Sequence, residues 1–104
     1  MNQLLDRVFT IKEIQESLAL VFDKHDFIDK VYLFGSYARG EATGKSDIDL
    51  FVIRNRETYL DFYSLYDEVQ DALGKNTDII HDGEILVNSL KEHIERERVL
   101  IYER

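Results

Sequence analysis

Between Gly35 and Val52 the chain reads GSYARGEATGKSDIDLFV. Three of the five glycines, Gly35, Gly40 and Gly44, fall within its first ten residues. Glycine lets a backbone turn sharply and come close to a ligand. The stretch closes on Ser46-Asp47-Ile48-Asp49, followed by the apolar residues Leu50 to Ile53, which read as a strand. Asp47 and Asp49 are two residues apart, so on a strand both carboxylates point to one face. Just before the stretch, Val31-Tyr32-Leu33-Phe34 is a short apolar run stopped by Gly35 and reads as a buried strand. The segment from Gly35 to Ser46 then reads as a polar loop joining two strands.

Working outward, Thr10-Ile11-Lys12-Glu13 has the form of a capping box, with Phe9 and Ile14 at the staple positions. Ile11, Ile14, Leu18, Val21 and Phe22 recur at helical spacing, predicting a helix over Ile11 to Lys24. Downstream, Glu57 or Thr58 opens a second helix. Its inward residues are expected to be Leu60, Phe62, Leu65, Tyr66, Val69 and Leu73, and Gly74 is its stop. Thr77 to Ile80 form a third strand. A last helical segment comes after Gly83, with Ser89-Leu90-Lys91-Glu92 as a second capping box. Val99 to Tyr102 read either as a terminal edge strand or as a helix end packed on the sheet.

The order helix, strand, strand, helix, strand, helix predicts an α+β fold: a small mixed sheet flanked by helices in one domain, residues 1–104. A loop joins the first two strands, which are expected to be antiparallel. A helix joins the second and third, which are expected to be parallel. That topology brings Gly35 and Ser36, at the end of the first strand, beside Asp47, Asp49 and Asp78 at the starts of the other two.

Gathering these acids has a chemical consequence. Two carboxylates about 4 Å apart repel by roughly 4 kcal/mol at an effective dielectric near 20. The pair is tolerated when water screens it, when one member is protonated, or when a hard cation sits between them. Asp78 adds a third oxygen donor on the neighbouring strand, and Asp82 is its rival for that place. Three converging carboxylates suit Mg²⁺, which takes oxygen ligands and bridges to phosphates. Read as surface chemistry instead, the same acids are solvated strand starts, Arg39 is a surface charge and Ser46 caps its loop. Tyr37 is open to two readings, a base-stacking ring or an exposed loop residue. His25, His81 and His93 show no metal-ligand spacing, and Tyr59, Tyr63 and Tyr66 read as core and rim of their helix.

Other phosphate and metal motifs fail. Glu41-Ala42 stand where a P-loop beginning at Gly35 needs Lys-Ser/Thr; a P-loop ending at Gly44-Lys45-Ser46 has Arg39 in place of its first glycine, and an apolar strand follows where a helix should open. An EF-hand starting at Asp47 has Phe51 and Val52 at ligand and glycine positions.

Composition bounds the rest. The chain has no cysteine, which excludes disulfides and thiolate metal sites, and 33% of its residues are charged against 44% hydrophobic. The longest apolar run, Leu18 to Phe22, is far too short to span a bilayer. The opening MNQLLDRVFT does not read as a secretory signal. These features favour the cytoplasm. The net charge of −8 makes non-specific binding to nucleic acid unfavourable.

Gly35-Ser36, ten residues, then Asp47-Ile48-Asp49 resembles the signature of the polymerase-β-like nucleotidyltransferases. The wider string GSYARGEATGKSDIDLFV resembles the minimal nucleotidyltransferases of the MntA antitoxin type, and the likeness extends over most of the chain. In that family the signature aspartates and a third one hold two Mg²⁺ ions, which bind the triphosphate of a substrate such as ATP and activate an acceptor hydroxyl. Carried over, the resemblance implies metal and catalytic roles for Asp47, Asp49 and Asp78. It also implies nucleotide contacts by Gly35, Ser36, Arg39 and Ser46. It further implies a HEPN-type toxin as partner and acceptor, silenced by AMP transferred to a tyrosine. Two rival functions are compatible with the same residues. One is a non-catalytic antitoxin that neutralises its partner by complex formation. The other is transfer to an antibiotic or a nucleic-acid end, which the acidic balance disfavours.

Overall fold

A computed structural model describes residues 7–104, so the first six residues of the opening MNQLLDRVFT lie outside the described residues. Helix α1 (Ile11–Lys24) begins where the capping box predicts. The Glu13 N–H donates to Thr10 Oγ1 at 3.0 Å, and the Thr10 N–H donates to Glu13 Oε1 at 2.9 Å. Two otherwise orphaned donors are thereby satisfied. Ile14, Leu18 and Phe22 form the buried stripe of this helix, and Phe9 joins the same core.

Strand β1 (Ile28–Phe34) starts three residues earlier than its apolar run suggests. The segment expected to be all loop then opens with a helical turn, α2 (Gly35–Arg39). Gly40 ends it at φ +74°, a left-handed cap open to glycine at little cost. Strand β2 (Ile48–Arg54) and helix α3 (Asp61–Leu73) come next. Gly74 stops α3 as expected, but the helix starts later than Glu57 or Thr58, and Leu60 is 80% exposed rather than inward. Strand β3 (Thr77–His81) leads to α4 (Asn88–Glu97) and β4 (Val99–Glu103). The second capping box does not form. Val87, extended and without a side-chain cap, precedes α4, so Ser89 already lies inside the helix. The terminal segment is the edge strand of the two readings offered.

The sheet order is β3-β2-β1-β4. β1 runs antiparallel to β2 and to β4, and β2 runs parallel to β3. Ile48, Leu50 and Val52 of β2 are fully buried against a core built with Ile14, Leu18 and Phe22 of α1 and Leu65, Val69 and Leu73 of α3. Each such side chain contributes roughly 1.5–3 kcal/mol by leaving water. The intervening residues of β2 face the other side of the sheet, where Phe51 meets Ile94 of α4 in a shared cleft. The core therefore commits Asp49 to the face opposite α1 and α3. Among the described residues, no helix is long and apolar enough to cross a membrane.

Candidate active site

Register fixes the site. Phe34 pairs with Asp49 across β1 and β2, and Asp49 pairs with Asp78 across β2 and β3. The turn after β1 and the aspartates of two strands thus meet at one edge, as the topology predicts. Asp49 lies deepest. Burial in the first place, then the fields of Asp78 and Asp47 and a hydrogen bond with Asp78, push its pKa up to about 6. A hydrogen bond between two carboxyl groups needs a proton on one of them. Arg39 opposes the trend with a positive field. Asp47 and Asp78 are exposed.

Gly35 is shaped by this carboxylate. Its φ of +74° is the left-handed conformation, and a Cβ at this position would run into the Asp49 carboxylate. Glycine is required here twice, by the backbone and by the neighbour. The Ser36 carbonyl accepts from the Glu41 N–H at 2.9 Å, folding α2 back on itself, and Ser36 is partly exposed beside Gly35.

The remaining candidates have partners of their own. Arg39 is ion-paired with Glu97 of α4 at 3.0 Å and with Glu41 at 3.3 Å, so it is exposed but tethered near the acids. The Ser46 hydroxyl accepts from the Thr43 N–H at 2.9 Å and shapes the turn before Asp47. Tyr37 is only 3% exposed and packs in the core, so neither of its two readings holds. Asp82 is separated from Asp78: it accepts from Arg54 Nε at 2.9 Å at the far end of β3. Of the two rivals, Asp78 is the one that reaches Asp49.

Two groups escaped the sequence reading. Lys75 is almost wholly buried, and its ammonium donates to the carbonyl of Gly44 at 2.7 Å. The signal available was its position, one residue past the helix-stopping Gly74 and three before Asp78. Glu97, the partner of Arg39, carried no signal, because the pair spans 58 residues.

A cleft of about 580 Å³ lies on the other face of β3, lined by Phe62, Tyr63, Tyr66, Ile79 and His81. Ile79 and His81 alternate with Asp78 along the strand, so this cleft is not the space above the carboxylates. Tyr66 nonetheless feels the site: burial first, then the fields of Asp78 and Asp47, raise its pKa.

The donor set bears on metal binding. Among the described residues no three His, Asp or Glu side chains stand close enough together to hold a metal ion between them. Asp49 and Asp78 are joined and Asp47 acts on Asp49 through its field. Oxygen donors of this kind, leaving most positions to water and phosphate, fit Mg²⁺, which keeps several waters and binds through one or two carboxylates. A cation there would also discharge the repulsion that raises the pKa of Asp49.

Residues 16–104 match the family model described as "Polymerase beta, Nucleotidyltransferase". A relative from Methanocaldococcus jannaschii, named "Putative protein adenylyltransferase MJ0128", is 35% identical over 97 residues, covering 88% of this chain and 98% of that protein. A solved structure described as "Structure of putative minimal nucleotidyltransferase" superposes with a TM-score of 0.70 at 30% identity, covering 88% of this chain and 95% of that one. The fold also matches a chain of a structure described as tri-AMPylated Shewanella oneidensis HEPN toxin in complex with MNT antitoxin, with a TM-score of 0.61 at 20% identity. That match covers all of this chain and 74% of the other.

Proposed function

Because this chain belongs to the polymerase beta nucleotidyltransferase family and is a nucleotidyltransferase, we propose that it transfers AMP from ATP to a tyrosine of a HEPN-type toxin and so acts as its antitoxin. The observation that carries the reading is the Asp49 carboxylate lodged against the Gly35 turn, with Asp47 and Asp78 at the same sheet edge. That edge joins a turn that a phosphate can approach to acids whose repulsion a cation would relieve. Relatives named as protein adenylyltransferases and the AMPylated toxin complex support the acceptor class.

Asp47, Asp49 and Asp78 would hold Mg²⁺, which supplies charge neutralisation for the triphosphate and polarises the acceptor hydroxyl. Gly35 and Ser36 would receive the β- and γ-phosphates at the turn after β1. Arg39 can add positive charge by leaving Glu97. The phenol oxygen attacks the α-phosphorus, the bond to the β-phosphate oxygen breaks, and pyrophosphate leaves. Asp78, on the edge strand, takes the phenolic proton. The net charge of −8 complements a basic, RNA-cleaving partner.

The test is to incubate the protein with ATP, Mg²⁺ and the product of a neighbouring HEPN-type gene, then weigh the partner. AMP increments on a tyrosine are expected, absent for Asp49→Asn and in the presence of a chelator. If Asp49→Asn neutralises the toxin as well as the unaltered protein, without any AMP increment, the function is complex formation instead.

A further inference from the structure

Resting on the nucleotide-transfer reading of Asp47, Asp49 and Asp78, we propose that Lys75 is a positioning residue that clamps the turn before Asp47 to the start of β3. Lys75 is only 4% exposed, unusual for a lysine. Its ammonium donates to the Gly44 carbonyl at 2.7 Å and reaches the Ser46 carbonyl at 3.4 Å, across 31 and 29 residues of sequence. Those two carbonyls flank Lys45 in the turn that leads directly into Asp47.

The clamp completes a closed set of bonds. The Ser46 hydroxyl accepts from the Thr43 N–H, and the Ser46 N–H donates to the Thr43 carbonyl at 3.1 Å, so the turn is rigid within itself. On the other side, the Ile48 N–H donates to the Asn76 carbonyl at 3.1 Å, and the Thr77 hydroxyl donates to the Lys75 carbonyl at 3.4 Å. The starts of β2 and β3 are thereby held at the register that places Asp49 beside Asp78. A charged donor to a carbonyl is stronger than a neutral one, and a buried ammonium left without acceptors is costly. The turn and Lys75 therefore hold each other. Arg39 supplies a positive field at Asp49, and the bonds of Lys75 to Gly44 and Ser46 add a geometric hold on the turn.

Without the clamp, the Thr43–Ser46 turn loses its anchor to the sheet while the core under β2 is untouched. Asp47 would then sample positions away from Asp49 and Asp78. Misplacing a charged ligand by about 1 Å is enough to cost two orders of magnitude in rate.

The experiment compares Lys75→Met, Lys75→Arg and, as a control for lost stability, Val69→Ala in the core. Amide hydrogen exchange is measured on the nucleotide-free proteins, and binding of ATP with Mg²⁺ is measured by calorimetry. For Lys75→Met, exchange over residues 43–48 is expected to accelerate at least tenfold while α1 is unchanged. ATP with Mg²⁺ should bind about tenfold more weakly. Lys75→Arg should recover most of both, and Val69→Ala should change neither locally. Unchanged exchange over 43–48, or acceleration spread evenly over the whole chain, overturns the proposal. If Lys75→Met does not fold, Lys75→Gln is read in the same way. Failure of the unaltered protein to bind ATP with Mg²⁺ would instead strike at the functional reading, leaving the exchange result to judge the clamp.

Discussion

The two ends of β1 gather polar groups on opposite terms. At the Ile28 end, Arg104 donates to the carbonyls of Ile28 at 2.7 Å, Phe22 at 3.0 Å and His25 at 2.9 Å. Beside it, Arg56 pairs with Asp26 at 2.7 Å, and the Asn55 amide donates to the Asp26 carbonyl at 2.7 Å. Cations meet anions and open backbone ends meet donors. At the Phe34 end the chain brings three carboxylates together and leaves the deepest of them with its pKa pushed up. The first arrangement lowers the energy of the folded chain. The second raises it, and a cation bound there would relieve it. A perturbed carboxylate in such a cluster is where function is expected, since structural networks satisfy their own members.

The comparison can be broken most sharply at Asp49. Asp49→Asn should lower AMP transfer by about 10²–10³-fold, on the scale of losing one preorganised electrostatic group. It should at the same time leave stability unchanged or improved at neutral pH. Rate and melting temperature moving in opposite directions would show that the Phe34 end trades stability for chemistry; a fall in both would not.

Gly35→Ala should damage both properties. Its φ of +74° and the overlap of a new Cβ with the Asp49 carboxylate predict a loss of about 2–3 kcal/mol, read as a shift of the urea midpoint. Arg104→Ala, at the other end, should cost about 1–2 kcal/mol by leaving carbonyls of the α1–β1 corner without their donor. Its rate of AMP transfer under folding conditions should equal that of the unaltered protein. A slowed rate would mean the two ends are coupled.

The smallest effect is in the pH dependence. The folded pKa of Asp49, about 6, lies above the ordinary value of 3.8. Between those values the folded chain holds more protons than the unfolded one, so this group makes stability fall as pH rises from about 4 to about 6. The contribution is roughly 1 kcal/mol once solvent screening at a part-exposed group is discounted. Metal-free protein should therefore show this decline, and Asp49→Asn should lose it. An Asp49→Asn curve that keeps the same slope would place the titration elsewhere.

Much of the Phe34 end was legible beforehand because it is built from short-range rules. The period of two puts Asp47 and Asp49 on one face, and an intervening helix makes β2 and β3 parallel, which brings the start of β3 beside them. The capping box at Thr10 was legible for the same reason: both partners lie within one helical turn. The box proposed at Ser89 shows the limit of such rules. Its residues match, but Val87 takes the extended cap position and the helix begins at Asn88. Leu60 was misplaced because periodicity cannot say where a helix starts, and Asp61 starts it. The helical turn α2 was hidden because a glycine after an apolar run marks the end of a strand and leaves the next conformation open.

By itself, then, the sequence determined the α+β class, the alternation that segregates acids from core, and the spacing that ties Gly35-Ser36 to Asp47 and Asp49. These depend on backbone periods, which act over a few residues and do not need the rest of the molecule. Only the tertiary structure decided that Asp78 rather than Asp82 meets Asp49, that Arg39 rests on Glu97, that Tyr37 is core, and that Lys75 is buried beneath the signature turn. Each of these joins residues far apart in the chain, or depends on how much water the assembled layers exclude. Packing sets both, and no local pattern carries either.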